Sequence, residues 1–249
     1  MRIKQARISS GVINFKKYYL EKYNLVEGNN FDEPIVLFGM YNMEDYRYYL
    51  SHRAPMVVVW CGTDGLMLKE NMVEMLKCKI VKHIAKSKFI SNDLSRYGID
   101  HLILPVSWQT LEINPISRGE KIFHYSSGQN NFYGDAYLPE IRSKTGCEII
   151  ETTINTYTKD MLKKVYGDCF IGLRLTKHDG IPNTVIELGM MGRRCIYNGD
   201  IPNAIPWLNI DDICENVKKE YCRRNEDDIQ KVAEETAKYI DIGDGWLNV

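Results

Sequence analysis

What this sequence has little of narrows its reading. None of its 249 residues forms part of an apolar run approaching a membrane span, and the start, Met1-Arg-Ile-Lys-Gln5, has no apolar signal core. A soluble, cytoplasmic protein is therefore expected. Net charge is nearly absent, with 32 Lys and Arg against 33 Asp and Glu, which excludes a surface that is strongly basic overall. The seven cysteines (Cys61, Cys78, Cys147, Cys169, Cys195, Cys214 and Cys222) are odd in number and widely spaced. They form no CxxC and no Cys/His ligand spacing, which argues against a disulfide framework or a zinc site and for reduced core thiols. The five histidines are equally scattered, and neither an internal repeat nor a low-complexity tract is present.

Charge is uneven along the chain. Residues 1–118 hold 16 Lys and Arg against 12 Asp and Glu, whereas the remainder holds 16 against 21. Two domains of different character would produce such a split. In the first half, Phe15 to Tyr23 reads as an amphipathic helix, Ile35 to Phe38 as a buried strand and Met43 to Leu50 as a helix. Met56-Val-Val-Val-Trp-Cys61 is an unbroken apolar run of the kind a two-faced parallel sheet requires. A helix over Glu70 to Cys78, the segment Ile80 to Lys86, a strand over Lys88 to Ser91, a helix over Asn92 to Gly98 and a strand over Leu102 to Leu104 follow. Strands alternating with helices at this spacing predict a parallel sheet covered on both faces.

Gln109 to Gly119 reads as a linker, which places a domain boundary at 107/108. Beyond it, Lys121 to Tyr125 is a strand that opens into Ser126-Ser-Gly-Gln-Asn-Asn131 and then a helix over Gly134 to Arg142. Such a loop is the usual place for backbone amides to meet phosphate. Cys147 to Thr152, Tyr157 to Tyr166 and Asp168 to Leu173 supply strand, helix and strand. Ile205 to Trp207 and Asp211 to Lys219 add a strand and a helix, and Glu226 to Tyr239 is a last amphipathic helix.

The most informative stretch is His178-Asp-Gly-Ile-Pro-Asn-Thr-Val-Ile-Glu187, followed by a helix that Gly192 ends and a strand from Arg194. Pro182, Asn183 or Thr184 at the start and Gly192 past the end are helix punctuation. A helix start offers unpaired N–H groups and partial positive charge, which suit a diphosphate. Glu187, one turn beyond Asn183, suits the hydroxyls of a ribose or hexose. In the plainer alternative this is an ordinary helix with Glu187 on a solvated face and Gly180-Ile-Pro a mere turn.

The pattern of acid, Gly, apolar residue, Pro, Asn, small residue, two apolar residues and Glu resembles the donor-site signature of retaining glycosyltransferases of the GT-B fold, family 4-like. Asp179 stands where Glu is usual. The resemblance implies an α/β protein of two Rossmann-like domains, 1–107 on the acceptor side and 108–249 binding a nucleotide sugar, with parallel sheets facing a central cleft. The closing segment, with the last helix or Gly243 to Trp246, is then expected to pack back on the first domain. The implied reaction is transfer of a sugar from a UDP- or GDP-sugar to an acceptor hydroxyl with retention, requiring no cofactor and no metal. Asp179 would hold the sugar and Glu187 the ribose, while Arg174 and the amides at Asn183 and Thr184 would stabilise the diphosphate. Ser127, Gly128, Lys177, His178 and Gly180 complete the implied nucleotide-sugar site.

Trp60-Cys-Gly-Thr-Asp64 is similar to a turn in the acceptor-side domain of some of these enzymes. It implies an acceptor site at Gly62, Thr63 and Asp64, with Asp64 either orienting the acceptor hydroxyl or capping the next helix. The acceptor is expected to be a glycan or a hydroxymethylated base in viral DNA. A nucleotide-sugar epimerase of related fold and a non-catalytic nucleotide-binding protein are the alternative functions.

Overall fold

A parallel sheet with helices on both faces must be apolar on both faces, and Ile35 to Phe38 and Met56 to Trp60 are buried at every position. In the computed structural model, which describes residues 1–79, 81–109, 115–126, 131–153 and 157–249, the first elements are β1 (Gln5–Ile8), α1 (Lys16–Lys22), β2 (Val26–Glu27), β3 (Ile35–Phe38), α2 (Met43–Ser51) and β4 (Met56–Trp60). Then come α3 (Glu70–Lys77), β5 (Lys82–Ala85), α4 (Lys88–Arg96) and β6 (Leu102–Ile103). The strands form one parallel sheet in the order β2-β1-β3-β4-β5-β6. Alternate residues serve opposite faces. Val36, Phe38, Val57 and Val59 pack with Tyr19 and Tyr23 around α1, while Ile35, Leu37, Val58 and Trp60 pack with Tyr46, Tyr49, Leu76, Ile90 and Leu94 of α2, α3 and α4. Each fully buried aliphatic side chain contributes about 1.5–3 kcal/mol.

A capping box opens α2: the Asn42 side chain accepts from the Glu44 and Asp45 amides, and the Asp45 carboxylate accepts from the Asn42 amide. Asp45 also accepts from Ser9 Oγ at 2.5 Å, which ties the end of β1 to the start of α2.

The second half contributes β7 (Lys121–Tyr125), α5 (Leu138–Thr145), β8 (Ile149–Thr152), α6 (Lys159–Gly167), β9 (Cys169–Leu173), α7 (Asn183–Met190), β10 (Arg194–Ile196), β11 (Ala204–Ile205), α8 (Ile210–Cys222) and α9 (Ile229–Ile240). Its sheet is again parallel, in the order β11-β10-β9-β7-β8. Ile122, Ile141, Phe170, Leu173, Ile213 and Val217 lie at the heart of its core. Arg193 is fully buried there, and its guanidinium donates to the carbonyls of Ile116, Ser117, Tyr166 and Cys169.

Two compact units result. One comprises Met1–Thr110, His178–Ile181 and Ile240–Val249, the other Leu111–Lys177 and Pro182–Tyr239. The division falls later than the 107/108 boundary read from the sequence. Trp108 stacks on Phe15 and Tyr18 in the first unit, whereas Ile116 and Ser117, read as linker, are bonded into the second by Arg193. Residues 229–239 of the last helix belong to the second unit, and the tail after it belongs to the first. Within that first unit Trp246 meets Tyr23 edge-on at 5.1 Å, and Asn248 bridges antiparallel to Arg2.

Two further expectations change. Lys88 to Ser91 is the first turn of α4 rather than a strand, because the Ser87 hydroxyl accepts the Ile90 amide and so caps a helix whose Ile90 and Leu94 face the core. Gln5 to Ile8, read only as part of an N-terminal stretch, is an inner strand in which Ala6 and Ile8 are buried and Gln5 and Arg7 only partly so. No helix among the described residues is long and apolar enough to cross a membrane.

Candidate functional site

In the second unit the first strand, β7, lies between β8 and β9, so the chain winds away from it in both directions. Ligand crevices of open α/β sheets form at such a reversal, beyond the carboxyl ends of the strands. Tyr125 ends β7, and Arg174 directly follows β9. The Arg174 amide donates to the Ile196 carbonyl at 2.9 Å, which fixes its backbone to β10. Its guanidinium carbon lies 4.1 Å from the centroid of Tyr133 and 5.1 Å from that of Tyr125, and the residue is only 7% exposed. The two rings stand nearly perpendicular, at 81°, and each attracts the cation through its π-face.

After β7 the chain is clamped by Asp135, whose carboxylate oxygens meet His124 Nε2 at 2.8 Å and Ser126 Oγ at 2.7 Å. Burial draws the His124 pKa down, and Asp135 opposes that shift. Ser127 and Gly128, expected to reach the diphosphate, lie outside the described residues.

Helix α7 begins differently from its sequence reading. Pro182 is the cap residue itself and no side chain caps the helix, while Asn183 and Thr184 open it, half-buried. Its ladder starts where the Val185 amide meets the Pro182 carbonyl at 3.1 Å, so the amides of Asn183 and Thr184 precede the first rung. At the other end Arg193 N–H bonds Leu188 O and Gly192 N–H bonds Gly189 O, the paired closure of a Schellman motif, with Gly192 at φ +86°. Glu187 is not on a solvated face. It is 9% exposed and accepts the Tyr166 hydroxyl at 2.6 Å. Burial, then the charge of Glu187, pushes the Tyr166 pKa far up, so the phenol keeps its proton and donates. Lys177 is exposed.

His178–Ile181 pack within the first unit. His178 Nε2 lies 2.7 Å from Asp93 Oδ2, and its ring lies 5.8 Å from that of Phe89, tilted at 48° to it. The Asp179 carbonyl accepts Ser87 Oγ at 2.9 Å, and the Asp179 carboxylate accepts the Gly180 amide at 2.8 Å. Only glycine fits at 180, because a Cβ there would stand 2.2 Å from the Cys61 carbonyl oxygen.

The first unit also corrects the reading of Asp64. It is wholly buried, and its two oxygens accept the amides of Met40, Cys61, Gly62 and Gly65 at 2.8–3.2 Å. Burial nevertheless raises its pKa, against the pull of those bonds. A carboxylate enclosed in this way does not reach an acceptor hydroxyl, and it does not cap α3, whose cap residue is Lys69. Asp64 staples its own loop. Gly62 is buried with its amide given to that staple, and of the three proposed acceptor residues Thr63 alone is exposed.

Beside Asp64 the structure adds a group that sequence reading missed. Lys86, at the carboxyl end of β5, is 5% exposed and donates to the Tyr19 hydroxyl at 2.7 Å. Nothing in a helical or strand pattern marks one lysine among 32 basic residues as buried. Cys61, close by, has its pKa pushed up by burial to about 12, which makes it an inert core thiol. Among the described residues no three His, Cys, Asp or Glu side chains gather as a metal site would require.

Solved structures share this architecture. TarM aligns over 90% of this chain and 53% of its own length at 16% identity and a TM-score of 0.57. Sucrose-phosphate synthase from Thermosynechococcus elongatus aligns over 93% of this chain and 72% of its own at 9% identity and a TM-score of 0.61. A point mutant of S. aureus TarM in complex with fondaparinux, α-GlcNAc-glycerol and UDP aligns over 90% and 53% at 15% identity and a TM-score of 0.56. The chain thus spans about half the length of TarM, and its fold is the GT-B glycosyltransferase fold, two parallel α/β units. No family model and no curated protein matches the sequence.

Proposed function

We propose that this chain is a glycosyltransferase that moves a sugar from a nucleoside-diphosphate sugar to an acceptor hydroxyl, with retention of configuration and without a metal. The observation that carries the reading lies at the strand reversal of the second sheet, where Arg174, held over the rings of Tyr125 and Tyr133, and a buried Glu187 held by Tyr166 accompany the start of α7, which no side chain caps. Breaking the bond from the anomeric carbon to the diphosphate places negative charge on the departing oxygen. Arg174 and the amides of Asn183 and Thr184 are donors fixed before the reaction, and fixed donors stabilise developing charge without reorganising. Glu187, an acceptor whose orientation Tyr166 sets, suits the two hydroxyls of a ribose. Asp179, in the turn before Pro182, would accept from the sugar hydroxyls.

UDP is the first nucleotide to test, since the similar TarM structure carries it, and the α-GlcNAc-glycerol in that complex favours a glycan acceptor. No feature among the described residues speaks for a hydroxymethylated base. A thermal-shift series with UDP, GDP and their sugars is the direct test. A donor at 100 times its Kd adds about 2.7 kcal/mol to stability, and an unmoved transition with every donor would refute the reading.

A further inference from the structure

A guanidinium on a long side chain loses rotamer freedom when it binds an anion, and one already ordered by its neighbours loses less. Two rings order Arg174 within the second unit. Tyr125 belongs to β7, so its place follows from the sheet. Tyr133, the nearer ring at 4.1 Å, lies outside every strand and helix and is carried by the segment 131–137 that leads into α5. An apolar side chain at 133 would fill the space as well. An aromatic face also attracts a cation, the more strongly where the pair is shielded from water, and Arg174 is 7% exposed.

The segment is fastened on both sides of Tyr133. Asn131, at φ +59°, folds it back: its side-chain oxygen accepts the Ala136 amide at 2.7 Å, and its carbonyl accepts the Gly134 amide at 3.1 Å. Gly134, at φ +82°, lies so close to the residue after Arg174 that a Cβ there would stand 2.5 Å from Leu175 Cβ. Asp135 is bonded to His124 of β7 and to Ser126 just beyond it. The rings of Phe132 and Tyr125 stand nearly perpendicular to that of Tyr133, with centroids 5.0 and 5.1 Å away.

We propose, on the donor-site reading above, that Tyr133 is a positioning residue: fastened by Asn131, Gly134 and Asp135, its ring holds the Arg174 guanidinium ready for the second phosphate of a nucleoside diphosphate. The departing oxygen of a sugar nucleotide belongs to that phosphate. Tyr133 acts through Arg174, whose charge-assisted bonds contribute to the site's preference for a diphosphate over a monophosphate.

The test is calorimetric binding of UDP, UMP, GDP and GMP to the wild-type chain, to Tyr133→Phe, to Tyr133→Leu, to Arg174→Leu and to Tyr133→Leu combined with Arg174→Leu, with a thermal melt of each protein. In the wild type one diphosphate should bind at least about tenfold more tightly than its monophosphate, the size expected for hydrogen bonds to a charged group. Tyr133→Phe keeps the aromatic face and should keep that ratio. Tyr133→Leu keeps an apolar side chain but loses the face, and should lower the ratio about fivefold, the size of a shielded cation–π contact, with the monophosphate unchanged. Added to Arg174→Leu, it should change neither affinity. A ratio that Tyr133→Leu leaves intact at any melting midpoint, a ratio lost in Tyr133→Phe, or a further loss in the combined variant means that Tyr133 does not direct Arg174 through its ring, and overturns the proposal. A wild type that binds diphosphate and monophosphate alike overturns the proposal alone, whereas one that binds none of the four nucleotides overturns the donor-site reading and the proposal with it.

Discussion

Asp64 in the first unit and Glu187 in the second are both buried acids, yet they are held in different ways. Asp64 accepts four amides, three of them from its own loop, whereas Glu187 is held by the hydroxyl of Tyr166 from a separate helix. The contrast shows that a carboxylate's donors, more than its burial, tell what fixes it. Backbone amides of the same turn make the acid a staple. A side chain from another element orients the acid, as Tyr166 does Glu187.

The contrast breaks most sharply at Asp64. Asp64→Ala leaves four amides without their acceptor in a buried turn and should cost about 3–5 kcal/mol, read as a lowered denaturant midpoint. A variant of unchanged stability that had lost sugar transfer would return Asp64 to the acceptor.

Next in size is a pH effect that separates the units through their histidines. His83 accepts the Trp60 indole N–H at 3.2 Å, and burial lowers its pKa to about 4. Its folded pKa lies below the unfolded value of about 6.5, so its contribution is full above pH 6.5 and falls away as the pH drops toward 4. The total is about 3 kcal/mol. His124 in the second unit shifts in the same direction, but its partner Asp135 favours the charged ring, so it should contribute less. Urea titrations from pH 7.5 to 4 on His83→Phe should show a flatter loss than the wild type, and an unchanged slope would remove His83 as its source.

Glu187→Ala sharpens the comparison at the other acid. It should weaken nucleotide-sugar binding by about 1.5–3 kcal/mol, the worth of hydrogen bonds to a charged group. The smallest expected effect is that of Tyr166→Phe, which keeps the acid and frees its orientation, at about 1 kcal/mol of the same affinity. Equal donor affinity in the wild type and both variants would take Glu187 out of the site.

Much of this protein could be read from its residues one stretch at a time. The runs at 35–38, 56–60 and 169–173 are strands as expected, because segments without a charged residue, buried at every position, suit a sheet covered on both faces. Gly192 ends α7 at positive φ, where a residue with a Cβ is strained. Reading failed where one local pattern served two structures. Lys-Phe-Ile-Ser at 88–91 alternates like a strand, and the Ser87 cap makes it helical. Gln5 to Ile8 is too short and too polar to stand out, and it becomes an inner strand because β2 and β3 pair with it on either side.

The order of chemical groups along the chain thus determined most of the elements, where α7 stops, and that an acid falls eight residues after Asp179. Tertiary structure alone decided that Asp64 turns inward to its own amides, that Tyr166 reaches Glu187 across 21 positions, and that Lys86 is buried against Tyr19, 67 positions away. The reason is physical: propensity and pattern act between near neighbours, whereas the partner of a buried charge is whichever group packing brings within about 3 Å, at any distance along the chain.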